Sequence, residues 1–238
     1  MRGNPRHTEK YVPQTGTRIM KCAVIVFVKY PEPGKVKTRL GKEIGYETAA
    51  KLYTAFVEDM LRNMDCADLN PIITYDPFQA EEHYRKWLGE HTYIPQHGTD
   101  LGERMLNALR SAFELKFDSS ILTGSDLPDL DPEFILQAMQ ALKKAPACIG
   151  PASDGGYYLI GFQKEYLTDS IFRNMEWSTE RVFPETISRL EKREITPEII
   201  PEHQDMDTVE DLKRLLSNPA AQALCPKSLK ILKTVFPL

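Results

Sequence analysis

Apolar residues follow two alternating patterns along the chain. The continuous apolar run at 21–28 is typical of a strand that is buried on both faces of a sheet, and the runs at 70–76 and 119–126 predict a second strand and a third, buried strand. Between these runs, residues 46–64 and 101–117 carry apolar side chains at helical spacing, which predicts helices with one apolar face. Because the two patterns alternate, the chain is predicted to adopt an α/β fold with a mainly parallel sheet.

Shorter segments continue this alternation. Residues 79–88 and 180–192 predict two further helices, and 91–96 predict a brief extended piece. Residues 147–162 predict two strands around a tight Asp-Gly-Gly turn. No internal repeat or linker divides the chain, so residues 20–238 are predicted to form one domain.

Three of the predicted helices have capping residues at their starts. Asp100 precedes the helix at 101–117, and Asp131 is followed by Pro132 at a first helical position. Thr208 and Asp211 resemble a capping arrangement and predict the start of the last helix.

Residues 1–19 differ from the rest of the chain. They are polar, carry glycine and proline, and have no apolar periodicity. Chain ends of this composition are usually poorly ordered, so we predict a flexible N-terminal tail.

Composition excludes several kinds of partner. The formal net charge is −4 at pH 7, whereas general nucleic-acid binders are more often basic, so no nucleic-acid partner is expected. No segment approaches the roughly 20 apolar residues that a membrane span needs. The four cysteines are scattered and form no CxxC pair, which favours free thiols and a cytoplasmic location.

A basic turn, PEPGKVKTRL, directly follows the first predicted strand. Ligands of doubly wound sheets bind beyond the carboxyl ends of the strands, and Lys and Arg suit phosphate oxygens. Gly34 would allow close backbone approach, and in an extended segment Lys35, Lys37 and Arg39 would share one side with Thr38 on the other. We predict Lys37 and Arg39 as phosphate contacts, with a solvated charged turn as the alternative.

Aspartates follow the third buried strand and precede the last predicted helix. Asp126 lies at the same sheet edge as the basic turn and could hold a divalent cation that bridges a diphosphate. Asp129 and Asp131 are better explained by turn and capping chemistry. In the stretch DMDT, at most one of Asp205 and Asp207 is expected to face a site, and capping is the alternative for both.

Two further features could contact a ligand. Asp154 belongs either to a hairpin turn alone or to a contact with a sugar or acceptor hydroxyl. Trp177, in a polar loop, could stack on a ligand, although a large aromatic side chain more often serves packing.

Taken together, KYPEPGKVKTRLG, QHGTDLGERM, LTGSDLPDL and SDGGYYLIGF, followed by WST and DMDT, resemble a known family. It consists of bacterial and archaeal glycosyltransferase-like proteins of the GT-A fold, associated with radical-SAM proteins and arsenosugar biosynthesis. The chain is also similar in layout to molybdenum-cofactor and phospholactate guanylyltransferases. The resemblance covers roughly residues 20 to 215 in the family's order.

The resemblance implies a nucleotide-diphospho-sugar transferase fold, with a mixed but mainly parallel sheet flanked by helices. It implies Mg²⁺ or Mn²⁺ as cofactor, held by Asp126 and Asp207, although no second aspartate follows Asp126 two positions later as in a DxD motif. Lys37 and Arg39 join Asp126 as predicted catalytic residues. The residues implied in nucleotide or substrate binding are Lys29, Gly34, Lys35, Thr38, Gly98, Gly102, Arg104, Ser125, Asp154, Gly155, Gly156 and Trp177.

Three functions are compatible with these residues. The first is a metal-dependent glycosyltransferase that uses a nucleotide sugar and a small-molecule acceptor. The second is a nucleotidyltransferase that joins a nucleoside triphosphate to a phosphorylated acceptor with loss of pyrophosphate. The first two require cations around phosphate groups. The third is a nucleotide-binding protein without catalysis.

Overall fold

The computed structural model of the protein describes residues 20–237, so the predicted tail at 1–19 lies outside the described residues. The strands are β1 (Cys22–Val28), β2 (Ile72–Tyr75), β3 (Thr92–Pro95), β4 (Ser119–Thr123), β5 (Ala147–Pro151), β6 (Tyr157–Gln163) and β7 (Pro197–Ile199). The helices are α1 (Thr38–Ile44), α2 (Tyr46–Cys66), α3 (Glu81–Leu88), α4 (Leu101–Glu114), α5 (Pro132–Ala141), α6 (Val182–Glu191), α7 (Val209–Ser217), α8 (Ala221–Leu224) and α9 (Pro226–Val235).

The strands form one seven-stranded sheet in the order β3-β2-β1-β4-β6-β5-β7. The pairs β1–β2, β2–β3, β1–β4 and β5–β7 are parallel, whereas β6 runs antiparallel to both of its neighbours. The predicted α/β class with a mixed, mainly parallel sheet is confirmed. The chain moves outward from β1 through β2 to β3, then crosses to β4 on the other side of β1.

β1 is buried on both faces, as its continuous apolar run predicts. Val24, Val26 and Val28 contribute to one apolar core, and Ala23 and Ile25 contribute to a second core on the opposite face. This alternation follows from the two-residue period of a strand, in which successive side chains point to opposite faces. The central strand is therefore covered by packed layers on both sides, which fixes the position of its carboxyl end.

The predicted caps are confirmed. The Glu103 amide donates a 2.8 Å hydrogen bond to Asp100 Oδ1, and the Glu133 amide donates a 2.9 Å hydrogen bond to Asp131 Oδ1. Thr208 and Asp211 form a capping box in which each side chain accepts from the backbone amide of the other.

The prediction that the helix after Thr208 is the last one was wrong, because α8 and α9 follow it. α9 docks on α2 through Asp59, a fully buried carboxylate that accepts hydrogen bonds from the Lys227 and Ser228 amides and from Ser228 Oγ. These bonds satisfy amides at the start of α9 that have no partner within the helix. Among residues 20–237, no helix combines the length and apolar character needed to cross a membrane.

Candidate functional site

The candidate site lies at the carboxyl ends of β1 and β4. These strands are parallel neighbours, and they lie where the strand order reverses direction. A third segment reaches the same edge, because the Met206 amide donates a 3.1 Å hydrogen bond to the Asp126 carbonyl oxygen. Open α/β sheets bind their ligands at such a switch point.

The Lys37 ammonium group bridges two of the predicted site residues. Its Nζ lies 2.7 Å from Asp126 Oδ2 and 2.8 Å from Asp207 Oδ1, and the Lys37 side chain is only 4% exposed. Burial lowers the pKa of Lys37, but the two carboxylates raise that pKa by more, so the group remains protonated. The loop after β1, the loop after β4 and the segment before α7 therefore meet at one ion-paired cluster.

The cluster carries more negative than positive charge. Burial, followed by the carboxylates of Asp126, Asp207 and Asp154, raises the pKa of Asp205 to about 7, while Lys37 opposes the shift. The expectation that at most one aspartate of DMDT faces the site was wrong, because Asp205 and Asp207 both interact with this cluster. Residues two apart in an extended segment project to the same side, which sequence reasoning could have used.

Asp205→Asn is expected to stabilise the metal-free protein at high pH. The folded-state pKa of about 7 lies above the ordinary value of 3.8, so wild-type stability falls as pH rises from about 4 through 7. Asn does not titrate. The free energy of unfolding of the variant, relative to wild type, should therefore rise by about 2 kcal/mol between pH 4 and pH 8, allowing for partial solvent screening.

Urea unfolding in EDTA at the two pH values measures this difference. Glu90→Gln is the matched control, because the Glu90 side chain is 99% exposed and should alter stability little at either pH. An Asp205→Asn protein whose stability relative to wild type does not change with pH would contradict the prediction.

Tyr53 of α2 ties the two strand ends together. Its hydroxyl accepts a 2.9 Å hydrogen bond from the Lys29 amide and shares a 2.9 Å hydrogen bond with Ser125 Oγ. Burial and then the Asp126 carboxylate raise the pKa of Tyr53, so the phenol stays neutral. Tyr53 was missed as a site residue because its position in the helical pattern is indistinguishable from that of a core residue.

The basic turn is not extended, so the predicted alternation of its side chains was wrong. Residues 33–37 form turns and a bend, and α1 begins at Thr38, whose side chain is exposed. Lys37 is a non-glycine residue with φ of 45°, which directs the chain from the turn into the helix. This change of direction separates the buried Lys37 from its exposed basic neighbours.

The basic residues near Lys37 in the sequence are exposed to solvent. The Lys29 and Lys35 side chains are exposed, and Lys35 Nζ lies 5.2 Å from the centroid of the Phe78 ring. Arg39 is 72% exposed, and its guanidinium lies 3.7 Å from Asp207 Oδ2. Gly34 has φ of 78° and open space where a Cβ would lie, so its backbone can be approached closely.

A second group of predicted residues forms a packed corner at the start of α4. A Cβ at Gly98 would lie 2.7 Å from the Arg104 amide, and one at Gly102 would lie 2.8 Å from Trp177 Cζ2. The Gly98 carbonyl accepts a 3.4 Å hydrogen bond from Arg104 Nε. Trp177 Nε1 is buried and has no hydrogen-bond partner among the described residues 20–237. These residues contact one another, and their predicted ligand contacts stay a prediction.

The Asp-Gly-Gly turn joins β5 and β6, as predicted. Asp154 Oδ1 accepts a 2.9 Å hydrogen bond from the Gly156 amide. Gly155 has φ of 86°, and a Cβ there would lie 2.4 Å from the Glu180 carbonyl oxygen. Its own carbonyl accepts from the Phe183 amide at 2.8 Å. The turn therefore supports the loop that carries Trp177. The negative charge of Asp154 also contributes to the raised pKa of Asp205.

The chemistry of the acidic pair fits a divalent cation. Among residues 20–237, no cluster of three or more His, Cys, Asp or Glu side chains has a metal-holding arrangement. However, Mg²⁺ commonly takes only one or two protein carboxylates together with substrate phosphates. Asp126 and Asp207 already hold one cation between them, the Lys37 ammonium, and Asp205 adds negative charge nearby.

The chain is similar to a known protein family and to several solved structures. The model of a family described as "Uncharacterized protein conserved in bacteria (DUF2064)" matches residues 60–179. A crystal structure of a candidate nucleotide-diphospho-sugar transferase from Desulfovibrio desulfuricans G20 is 37% identical, with a TM-score of 0.81, covering 91% of this chain and 99% of that one. No curated protein matches the sequence.

The distant matches share the fold. A cytidylyltransferase from Leptospira borgpetersenii serovar Hardjo-bovis (strain JB197) is 13% identical, with a TM-score of 0.57, covering 91% of this chain and 94% of that one. The inositol-1-phosphate CTP transferase from T. maritima is 12% identical, with a TM-score of 0.56, covering 88% and 96%. The predicted nucleotide-diphospho-sugar transferase fold is confirmed by the match at 37% identity.

Proposed function

The chain belongs to the DUF2064 family, and from its 37% identity to the candidate nucleotide-diphospho-sugar transferase we propose that it is a transferase that takes a sugar from a nucleoside diphosphate sugar. One observation carries the proposal. The cluster of the buried Lys37 ammonium and the half-exposed Asp126 and Asp207 carboxylates lies where the strand order reverses, at the carboxyl ends of β1 and β4. A charged cluster at this position suits a diphosphate and its counter-ion. The link to arsenosugar chemistry that the resemblance implies stays a prediction.

The exposed basic residues of the turn bind the donor phosphates in this proposal. Lys29, Lys35 and Arg39 are exposed to solvent, and the Arg39 guanidinium lies 3.7 Å from Asp207 Oδ2. Charge-assisted hydrogen bonds to phosphate are about twice as strong as neutral ones. Positive charge at this place stabilises the charge that develops on the diphosphate as the sugar leaves.

Asp126 and Asp207 would hold a Mg²⁺ or Mn²⁺ ion in the same proposal. Such an ion supplies further positive charge beside the leaving diphosphate when it is bound. Tyr53 positions the strand ends by joining the Lys29 amide to Ser125, next to Asp126. The acceptor, a small molecule in the cytoplasm, would lie towards Asp154 and Trp177, as the resemblance implies.

The number of exposed cations favours a second candidate, transfer of a nucleotide from a nucleoside triphosphate. Lys29, Lys35 and Arg39 are exposed cations in addition to the buried Lys37, and a triphosphate carries more negative charge than a diphosphate. The distant relatives of the same fold include a protein named as a CTP transferase. In that case the products would include pyrophosphate.

Donor turnover distinguishes these candidates. The protein is incubated with Mn²⁺ and, separately, with four common nucleoside diphosphate sugars and four nucleoside triphosphates, and slow hydrolysis is measured. Release of a nucleoside diphosphate from a nucleotide sugar is the expected result. Release of pyrophosphate from a triphosphate would support the second candidate, and binding without either product would indicate a non-catalytic nucleotide-binding protein.

Arg39→Ala is expected to weaken nucleotide binding ten- to hundredfold without changing stability. Its ion pair with Asp207 is long and exposed, so it adds little to folding. A charge-assisted hydrogen bond to phosphate is worth about 1.5–3 kcal/mol, and 1.4 kcal/mol is about a factor of ten. Calorimetric titration with each nucleoside diphosphate and Mn²⁺ measures the change.

Lys42→Ala is the matched control, since Lys42 is an exposed cation of the same short helix, α1. Equal loss of affinity in both variants would indicate a general effect of net charge. Unchanged affinity in Arg39→Ala would remove Arg39 from the phosphate site.

A further inference from the structure

Lys37 occupies the place that the proposed cofactor needs. Its ammonium group contacts one oxygen of Asp126 and one of Asp207, at 2.7 and 2.8 Å. The second oxygen of Asp207 faces another cation, the Arg39 guanidinium, at 3.7 Å. Because like charges repel, the pair cannot hold an ammonium group and a divalent ion between the same oxygens.

We propose that Lys37 is a resident cation that a divalent ion must displace from Asp126 and Asp207, so that metal and nucleotide bind cooperatively. This inference rests on the proposed function, since it assumes that the same pair holds the metal. In this proposal Lys37 pairs with the two carboxylates in the free protein, and it contacts a phosphate only after the metal has displaced it from them. The free protein should therefore bind metal weakly.

Charge pairing explains why the two ligands would depend on each other. A metal ion arriving alone would leave the Lys37 ammonium without its carboxylates, and its side chain is only 4% exposed. An unpaired buried charge is strongly unfavourable. A nucleotide arriving alone would bring its phosphates towards the Asp126 and Asp207 carboxylates, which repel them. When both arrive, the carboxylates pair with the metal and Lys37 pairs with a phosphate.

The backbone around Lys37 suits such an exchange. Lys37 is the junction between the turn and α1, with φ of 45° and ψ of 45°. On its N-terminal side, a Cβ at Gly34 would meet no atom of residues 20–237 within 4 Å beyond its immediate chain neighbours, and Lys35 is exposed. A phosphate can therefore approach the turn from solvent. By linkage, whatever factor the nucleotide adds to metal affinity, the metal must add to nucleotide affinity.

Binding of Mn²⁺ alone to Lys37→Met tests the proposal. Methionine keeps a long apolar side chain but removes the competing charge, so the variant should bind Mn²⁺ at least tenfold more tightly than wild type without nucleotide, about 1.4 kcal/mol. Lys42→Met is the matched control, because it removes an exposed cation of α1, the helix that follows Lys37. It should bind Mn²⁺ as wild type does. Electron paramagnetic resonance of free Mn²⁺ measures these affinities.

Unchanged or weaker Mn²⁺ binding by Lys37→Met would overturn the proposal, as would the absence of binding by both proteins. A second measurement uses the wild-type protein and does not depend on the variant folding. With ¹⁵N-labelled lysine, the Lys37 ammonium signal should disappear or shift in parallel with Mg²⁺ occupancy, and an unchanged signal at saturation would also overturn it. Donor turnover tests the proposed transferase function separately, so a failure of that function and a failure of the Lys37 displacement give different results.

Discussion

Asp126→Asn is expected to lower donor turnover by at least about a hundredfold and to weaken Mn²⁺ binding, while the protein remains folded. Asp126 follows β4 at the switch point, and its carboxylate is one of two that hold the Lys37 ammonium. Asn has nearly the same shape but no charge. Removing one preorganised electrostatic group from an active site costs about 10²–10³ in rate.

Asp131→Asn is the matched control for this substitution. Asp131 lies in the same loop, but its carboxylate caps α5 by accepting from the Glu133 amide. Asn is as good a cap as Asp, so the control should retain both stability and turnover. Equal Mn²⁺ affinity and equal turnover in wild type and Asp126→Asn would remove Asp126 from the site.

Features that depend on local sequence could be predicted. The strand at 21–28 is recognisable because a strand buried on both faces needs an unbroken apolar run, and β1 indeed supplies both cores. The caps at Asp100, Asp131 and Thr208 are recognisable because a cap bonds amides two or three residues away. Nothing distant in the chain is needed for either conclusion.

Elements that depend on distant contacts could not be predicted. α9 is held by Asp59 of α2, across 169 residues of sequence, through its bond to the Ser228 amide. A carboxylate within a helical pattern carries no sign of a partner so far along the chain. α1 is short, and a helix of so few residues has little stability of its own, so its packing decides whether it forms.

Some residues of the candidate site could also be predicted from local sequence, whereas others could not. Asp126 and the basic turn could be singled out, because each directly follows a predicted parallel strand. The pairing of Lys37 with Asp207 spans 170 residues and depends on the left-handed backbone at Lys37, which no spacing rule indicates. Tyr53 acts through its hydroxyl, although its ring occupies an ordinary core position.

Gly155→Ala is expected to destabilise the protein by about 3 kcal/mol and to reduce turnover. Two effects add at this position. Its φ of 86° lies in a region where a side chain costs about 1–2 kcal/mol. The new methyl group would also lie 2.4 Å from the Glu180 carbonyl oxygen, and overpacking of this kind typically costs a further 1–3 kcal/mol.

Gly34→Ala separates the two effects, because Gly34 has a similar φ of 78° but open space where the Cβ would lie. It should lose only the backbone cost, about 1–2 kcal/mol. For a chain of this size about 1 kcal/mol shifts the melting temperature by 2–4 °C, so Gly155→Ala should melt about 6–12 °C below wild type and clearly below Gly34→Ala. Equal melting temperatures for the two variants would show that the loop carrying Glu180 and Trp177 yields freely. The Asp-Gly-Gly turn would then have no supporting role in the site.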